Sequence, residues 1–316
     1  MHETTGKKKQ DAIPGRRSLL KYGVAGLATA VLPKTLLAQT DVNSLSLANS
    51  LQLISSGGVN LLAHTRGNGL ILVDSGPARA IDKLYDTLES LQAGPVTTVF
   101  NTHWHADQVG GNEKFGRDGA RIIAHQKTHQ RLSTDYYIPH EQRYQRALPK
   151  MAWPTQFFHD RGEISAGNET IEYGWLVQPH TDGDIYVHFR DANVLAVGDA
   201  LSPERDPELD WYGGGWLGGR VDSQKQLLTM TNADTVIVPS YGPVMSQADL
   251  MAEHEFTQAL YNRLLDLIRE GCSAGCMLNE GALDGLGRTW KNPEKFLYDA
   301  YKGLWAHHYN LAPNIL

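Results

Sequence analysis

Residues 102–111, with the sequence THWHADQVGG, restrict the fold of this chain more than any other segment. They follow an apolar, β-branched run at residues 96–101, which predicts a buried strand. They end in two glycines, where we expect a tight backbone turn. Side chains alternate along an extended backbone, so His103 and His105 lie on the same side. Both imidazoles and the carboxylate of Asp107 are therefore expected at the carboxyl end of a strand, where α/β sheets place their reactive groups.

Two neutral imidazoles beside a carboxylate predict a zinc or iron site. An isolated pair of nearby histidines usually has no such role, but the strand end, the aspartate and the glycine pair favour a metal here. The chain contains only two cysteines, Cys272 and Cys276, which excludes a site built from three or four thiolates. The two cysteines lie at a spacing that is borderline for a local disulfide, so their pairing stays open.

The composition is typical of a globular protein with enough apolar residues to form a large hydrophobic core. The chain has 316 residues, of which 41% are hydrophobic and 20% charged. A net charge of −6 argues against a nucleic-acid partner, which would require a basic face. We expect a small-molecule substrate instead.

The first 38 residues are predicted to be a signal peptide. Basic residues that include Arg16 and Arg17 precede a moderately apolar run at residues 19–32, which is too short and too weakly apolar for a membrane span. The arginine pair and its flanking residues resemble a twin-arginine export signal. We expect cleavage after Ala38, the twin-arginine export machinery as a partner, and a periplasmic location.

Alternating strand and helix patterns after the signal predict two sheets covered by helices. We place a folded core at residues 39–245 and a C-terminal helical extension packed on it at 246–316. Residues from His125 to about Arg161 show little regular pattern, and residues 206–219 form a loop rich in glycine and tryptophan. Ser246 is predicted to cap a helix that reaches about Glu270, and another helix follows Pro293.

Polar residues follow four of the predicted strands. The first strand end carries His103, His105 and Asp107, and the others carry His180, Asp199 and Tyr241. All of them are expected to meet at one edge of a sheet. The remaining histidines are expected to be surface or structural residues: His125, His129, His140, His159, His188 and His254.

This pattern resembles the metallo-β-lactamase-fold hydrolase superfamily. The matching segments are residues 102–107 with the glycines at 110 and 111, then residues 180–183, residues 198–199, and the Asp-x-Gly turn at 74–76. The resemblance implies an α/β (α+β) fold, an αββα sandwich of two mixed sheets with metals at one edge. Among its branches, the chain looks most like exported hydrolases associated with quinoprotein relays and sulfur oxidation.

The resemblance also implies the ligands. His103, His105 and His180 would make a three-imidazole site, and Asp107, Asp199 and the fourth-strand position would hold a second ion. Two residues depart from the family pattern: Gln108 stands where a histidine is common, and Tyr241 replaces another. Tyrosine is an uncommon zinc ligand because its phenol has a pKa of about 10. We therefore expect one firmly held zinc, with a second ion that is weak, absent or iron.

The predicted function is a zinc-dependent hydrolase that attacks an ester, lactone, thioester or β-lactam-type carbonyl with metal-bound hydroxide. Asp107 would orient the nucleophile or accept its proton, and Tyr241 would polarise the carbonyl or stabilise the oxyanion. For Tyr241 the alternative is a packing role. Trp211, Tyr212 and Trp216 are candidate substrate contacts, with core packing as the alternative. Two other functions stay open: an iron-dependent enzyme that oxidises thiols or persulfides, and a non-catalytic periplasmic metal-binding accessory protein.

Overall fold

The fold is described by a computed structural model for residues 42–48, 50–65 and 69–307. The predicted signal peptide lies outside these residues. The strands are, in chain order, β1 (Val42–Ala48), β2 (Leu51–Ser56), β3 (Val59–Thr65), β4 (Leu70–Val73), β5 (Val96–Phe100), β6 (Arg121–His125), β7 (Tyr136–Ile138), β8 (Arg143–Gln145), β9 (Gln156–Phe158), β10 (Arg161–Ala166), β11 (Glu169–Trp175), β12 (Ile185–Phe189), β13 (Val194–Gly198) and β14 (Val236–Pro239). The α-helices are α1 (Ile81–Ser90), α2 (Ala106–Val109), α3 (Asn112–Arg117), α4 (Gln126–Ser133), α5 (Leu217–Leu228), α6 (Gln247–Arg269), α7 (Ala274–Asn279) and α8 (Pro293–Ala306).

Two mixed sheets form the centre of the fold. The larger sheet has the order β1-β2-β3-β4-β5-β6-β9; its strands are antiparallel from β1 to β4 and parallel from β4 to β9. The smaller sheet has the order β10-β11-β12-β13-β14, antiparallel except for the parallel pair β13 and β14. The parallel strands β5, β13 and β14 bring their carboxyl ends, and the polar residues that follow them, to the site described below.

Apolar side chains from both sheets share one core, and helices cover the outer faces. The shared core includes Phe100 of the larger sheet and Tyr173 of the smaller, whose ring centres lie 5.1 Å apart. Leu84 of α1 packs on the outer face of the larger sheet, and Leu227 of α5 packs on that of the smaller. Burial of these side chains is the main stabilising contribution to such layers. The αββα sandwich expected from the sequence is confirmed.

The glycines at 110 and 111 serve a purpose different from the one predicted. Their φ angles are −61° and −88°, which any residue adopts. A Cβ atom at either position would overlap backbone atoms of the Ser75–Gly76 turn or of Ala78. The glycines therefore allow the histidine segment to lie directly against the turn that follows β4.

The segment predicted to be irregular is more ordered than its sequence indicates. It contains α4, the hairpin of β7 and β8, and β9, which pairs in parallel with β6 at the edge of the larger sheet. These strands have only three residues each, too few to show a period in sequence.

The C-terminal helices pack on one another and on α5. Ser246 caps α6 as predicted: its hydroxyl accepts from the backbone N–H of Asp249, whose carboxylate accepts from the backbone N–H of Ser246. A disulfide joins Cys272 to Cys276 between α6 and α7, which settles the open pairing. Among the described residues, none of the helices has the length and apolar character to cross a membrane. The domain boundary at residue 245 stays a prediction.

Candidate metal centre

Three imidazoles converge where the strand ends meet. The ligand nitrogens of His103, His105 and His180 all lie within 4.8 Å of one another. Nε2 of His180 is 3.0 Å from Nδ1 of His105, and the three rings meet edge to face. His103 and His180 are fully buried, whereas the His105 side chain is 23% exposed. The cluster is therefore reached from solvent on the His105 side.

Buried carboxylates hold the two segments that carry the histidines. Asp74, at the end of β4, accepts hydrogen bonds from the backbone N–H and hydroxyl of Thr102, at 2.7 and 2.8 Å. Asp184 accepts from the backbone N–H groups of His180 and Thr181, at 2.8 and 2.6 Å. Burial raises the pKa of both carboxyls, to about 6 for Asp184. These bonds fix the backbone from which the imidazoles project.

Each imidazole has one nitrogen at the centre of the cluster, the inner nitrogen, and a second one, the outer nitrogen, that contacts an oxygen atom. Nδ1 of His103 lies 3.2 Å from Oγ1 of Thr102, and Nδ1 of His180 lies 2.8 Å from the backbone oxygen of Glu208. Nε2 of His105 lies 3.0 Å from Oδ2 of Asp210. Metal-binding histidines are commonly oriented in this way by an oxygen on their second nitrogen.

The inner nitrogens fit a cation. Nε2 of His103 is buried and has no hydrogen-bond partner among the described residues, which is costly unless a ligand occupies the centre. Nδ1 of His105 and Nε2 of His180 complete a three-nitrogen donor set of the kind that binds zinc with one position left open. The three histidines that the sequence assigned to one site are therefore brought together.

Asp199 reaches the same centre. Its Oδ2 lies 3.6 Å from Nε2 of His103 and 3.5 Å from Nε2 of His180. Burial raises the pKa of Asp199, while the nearby His180 acts in the opposite direction. Behind it, the fully buried Arg220 donates from Nη1 to the backbone oxygen of Asp199 at 2.7 Å.

Asp107 and Tyr241 contact each other at the edge of the cluster. The Tyr241 hydroxyl donates a hydrogen bond to Oδ2 of Asp107. Burial and the charge of Asp107 raise the pKa of Tyr241, so the phenol keeps its proton. The guanidinium of Arg205 lies over the Tyr241 ring, 3.9 Å from its centre. The phenolic oxygen is engaged by Asp107, and a phenol is a less common zinc ligand than the imidazole that the resemblance implies at this position.

Gln108 does not provide a strong ligand for a second ion beside Asp107. Its side chain is fully buried, and neither amide atom has a hydrogen-bond partner among the described residues. An amide oxygen is a weak zinc ligand in comparison with an imidazole. The residues thus fit one cation at the three histidines, and those beside Asp107 offer only weak ligands to a second.

A cavity of about 220 Å³ opens beside His105. Tyr212 lines it, as the sequence predicted for a substrate contact. Trp211 lies behind this lining, with its ring centre 4.9 Å from that of His140. Other lining residues include Trp104, Arg131, Tyr136 and His140. His140, which was expected to be a surface or structural residue, is partly exposed on this wall.

Trp216 has a different environment. It is 7% exposed, belongs to the core formed by the C-terminal helices, and stacks on His307 with ring centres 4.2 Å apart. It is not part of the cavity beside His105. These surroundings are those of the core-packing alternative.

Asp210, Arg205 and Arg220 were absent from the residues proposed from sequence. Asp210 and Arg205 lie in or next to the glycine- and tryptophan-rich loop, which has no periodic pattern. Arg220 is in α5, whose sequence gives no sign that a charged side chain is fully buried. The length of the loop was the one available signal, because long irregular segments are often functional.

Comparison with known proteins agrees with this geometry. A family model described as the Metallo-beta-lactamase superfamily matches residues 58–240. A hydroxyacylglutathione hydrolase from Erythrobacter litoralis (strain HTCC2594) is 29% identical over 133 residues, or 40% of this chain. That match spans only 45% of the relative, less than half of its length.

Solved structures share the fold. A metallo-beta-lactamase from Pontibacter korlensis superposes with a TM-score of 0.55 at 18% identity, covering 69% of this chain and 99% of that one. The crystal structure of the DIM-1 metallo-beta-lactamase gives a TM-score of 0.55 at 15% identity, covering 69% and 97%. The family match covers more than half of the chain and includes all three clustered histidines, so the chain belongs to the metallo-beta-lactamase superfamily.

Proposed function

We propose that this protein is a hydrolase that uses one zinc ion held by His103, His105 and His180. The observation that carries the proposal is the convergence of the three inner nitrogens, while each outer nitrogen contacts an oxygen atom. Three imidazoles with one open position are a frequent donor set for catalytic zinc. When bound, the ion would supply a Lewis acid that polarises a carbonyl and lowers the pKa of a water molecule.

The substrate class we favour is a thioester, with esters and lactones next. Support comes from the relative named as a hydroxyacylglutathione hydrolase, because an acylglutathione is a thioester. The cavity beside His105 combines aromatic walls with hydrogen-bonding side chains, which suits a mixed apolar and polar acyl group. β-Lactams belong to the same reaction class, but shared fold alone does not select them.

Asp107 and Tyr241 supply the proton chemistry in this proposal. Asp107 lies two residues from His105 and is half-buried, so it is placed to orient the attacking water or accept its proton. Tyr241 donates a hydrogen bond to Oδ2 of Asp107, which fixes the direction of the carboxylate. We therefore assign Tyr241 to positioning Asp107 rather than to polarising the substrate.

Histidine substitution with metal analysis tests the proposal. His105→Ala removes one of three imidazoles, so we expect it to lose both bound zinc and turnover on a panel of thioesters, esters, lactones and β-lactams. His159→Ala is the matched control, because His159 is exposed and outside the cluster. Wild-type protein that hydrolyses a substrate after complete removal of metal would overturn the proposal. A fully zinc-loaded protein that is inactive on the whole panel would favour the accessory role.

Iron-dependent oxidation of a thiol or persulfide by dioxygen is the second candidate. The specific observation in its favour is the carboxylate oxygen of Asp199, at 3.6 and 3.5 Å from Nε2 of His103 and His180. Two imidazoles and a carboxylate on one face form a donor set that binds ferrous iron in oxygenases. Elemental analysis after mild anaerobic purification separates the candidates: iron with thiol-dependent oxygen uptake favours oxidation, and zinc without it favours hydrolysis.

We also propose that the protein is exported to the periplasm through the twin-arginine machinery. The support is the segment around Arg16 and Arg17, together with the Cys272–Cys276 disulfide, since disulfides persist mainly in oxidising compartments. Replacing both arginines by lysine should hold the protein in the cytoplasm. Unchanged export of that variant would contradict the proposal.

A further inference from the structure

We propose that Arg205 is the second positive charge of this centre, a side chain that takes the place of a second metal ion. Its guanidinium, which lies over the Tyr241 ring, adds positive charge beside the carboxylates of Asp107 and Asp199 that would otherwise bind a second ion. The positive charge of Arg205 then disfavours a second cation, so the centre binds one divalent ion. This inference rests on the proposed function, because it assumes that the three histidines hold the first ion.

The guanidinium lies among the acidic residues of the centre. It stands over the ring of Tyr241, which donates to Asp107. Its Nη2 is 2.8 Å from Oε2 of Glu208, the residue whose backbone oxygen contacts His180. Burial alone would lower the pKa of Arg205, but the charges of Asp199 and Glu208 outweigh it and raise that pKa. Arg205 thus contacts both Tyr241, the hydrogen-bond partner of Asp107, and Glu208, whose backbone contacts His180.

Buried carboxylates at this edge need a cation. Asp199 is only 7% exposed, and its Oδ2 lies 3.5 Å from Nε2 of His180, at the site assigned to the metal. An uncompensated buried charge is strongly unfavourable. A second metal would supply the compensation if it had good ligands, but Gln108 offers only an amide and the Tyr241 hydroxyl is hydrogen-bonded to Asp107. Arg205 supplies a positive charge that needs no ligands and keeps its proton.

The loop that carries Arg205 is anchored, so the charge has a fixed place. Gly242, at φ +85°, packs closely against Pro203, and the backbone oxygen of Ser202 accepts from Nη2 of Arg288 at 2.9 Å. Asp206, the residue after Arg205, is held as well: its carboxylate accepts from the backbone N–H groups at positions 291 and 292, at 3.0 and 2.7 Å. The Arg205 side chain itself is 33% exposed. A metal ion arriving at Asp107 and Asp199 would meet this resident charge and be repelled by it.

The test counts bound ions in a set of four proteins. They are the wild type, Tyr241→His, Arg205→Met and the double variant Arg205→Met/Tyr241→His. Tyr241→His places an imidazole after β14, where the resemblance leads one to expect it. Each is dialysed against buffered zinc and analysed by native mass spectrometry and elemental analysis. We expect one ion in the wild type and in Tyr241→His. We expect the double variant to bind a second ion about 10- to 100-fold more tightly than Tyr241→His, because one nearby positive charge has gone.

Two further variants keep the test decisive. Arg190→Met is the matched control, because Arg190 forms a comparable ion pair of 2.7 Å with Glu172 away from the centre; combined with Tyr241→His it should leave the ion count at one. If Arg205→Met unfolds by circular dichroism, Arg205→Gln replaces it. Arg205→Lys/Tyr241→His retains the charge and should also stay at one ion.

Each outcome has a distinct meaning. Two zinc ions in the wild type, or equal second-ion affinity with and without Arg205, would overturn this inference and leave the proposed hydrolase intact. A wild type that retains no ion would overturn the proposed function, and this inference with it. One ion in the wild type and two in the double variant support both.

Discussion

The phenolic hydroxyl of Tyr241 donates a hydrogen bond to a carboxylate oxygen of Asp107, joining two strand ends that are 134 positions apart in sequence. Its position corresponds to a histidine that the superfamily resemblance leads one to expect. In place of the expected imidazole, this position carries a hydrogen-bond donor that orients a carboxylate. The contact connects Tyr241 to the helix that follows the histidine segment.

Tyr241→Phe should lower kcat while leaving zinc content unchanged. The variant keeps the ring beneath Arg205 and removes only the donor to Asp107. Hydrogen bonds to charged groups contribute roughly 1.5–3 kcal/mol, so we expect kcat to fall about 10- to 100-fold on whichever substrate the panel identifies. Tyr298→Phe, at an exposed ring, is the control and should retain full activity. A drop in zinc content instead would mean that Tyr241 is a ligand.

Asp210→Asn should weaken zinc binding at pH 9. Asp210 holds the outer nitrogen of His105 at 3.0 Å, and an amide is a weaker acceptor than a carboxylate. Loss of such a contact typically costs 10- to 100-fold in metal affinity. The dissociation constant is measured by competition with a chelator of known affinity, with Asp160→Asn, an exposed carboxylate, as the control. Equal affinities for the two variants would show that Asp210 does not orient the ligand.

Zinc affinity should rise with pH up to about 9. Burial lowers the pKa of His105, but the hydrogen bond and charge of Asp210 outweigh it and raise that pKa to about 9. In the metal-free protein His105 therefore holds a proton below pH 9, which zinc must displace. Loss of one proton gives about a tenfold gain in affinity per pH unit between pH 6.5 and 8.5.

Asp210→Asn provides the control for this pH dependence. Without the carboxylate the pKa of His105 falls, so the slope should flatten, and the difference from wild type should narrow as the pH decreases. A slope that is the same in both proteins would assign the released proton to another group. Chelator competition at each pH, corrected for protonation of the chelator, gives the comparison.

Glu253→Ala should strongly destabilise the fold. Glu253 is buried between two arginines, with Oε2 at 2.8 Å from Arg288 and Oε1 at 3.9 Å from the fully buried Arg220. Removing one partner of a buried ion pair costs about 3–5 kcal/mol, since the other charges stay buried. Glu255→Ala, two residues away on the exposed face of α6, should change the free energy of unfolding by less than about 0.5 kcal/mol. Urea unfolding measures both, and similar values would contradict the prediction.

The three histidines were predictable because their signals are local. His103 and His105 share one short segment after an apolar strand, and His180 follows another strand within a distinctive Thr-Asp-Gly run. Asp210 and Arg205 were not predictable in the same way. Their roles arise from contacts with residues such as His105 and Tyr241, which are distant in sequence, and the loop that carries them has no periodicity.

The fold shows the same division. Strand β5, an apolar and β-branched run, was predicted at residues 96–101 and is observed at Val96–Phe100. The three-residue strands β7, β8 and β9 were not, because their pairing depends on tertiary contacts rather than on composition. Trp216 shows that the surroundings of a side chain are harder to predict than a strand. A tryptophan beside glycines is equally compatible with a substrate groove and with a core.

The bonds from Arg288 and from positions 291 and 292 to residues 202 and 206 have an evolutionary consequence. If Arg205 takes the place of a second ion as proposed, substitutions at positions 288–292 could shift its guanidinium without altering any histidine. A change between one and two bound ions would then require no change in the ligand motifs. Ancestral reconstruction of this tail would reveal the order in which the changes occurred.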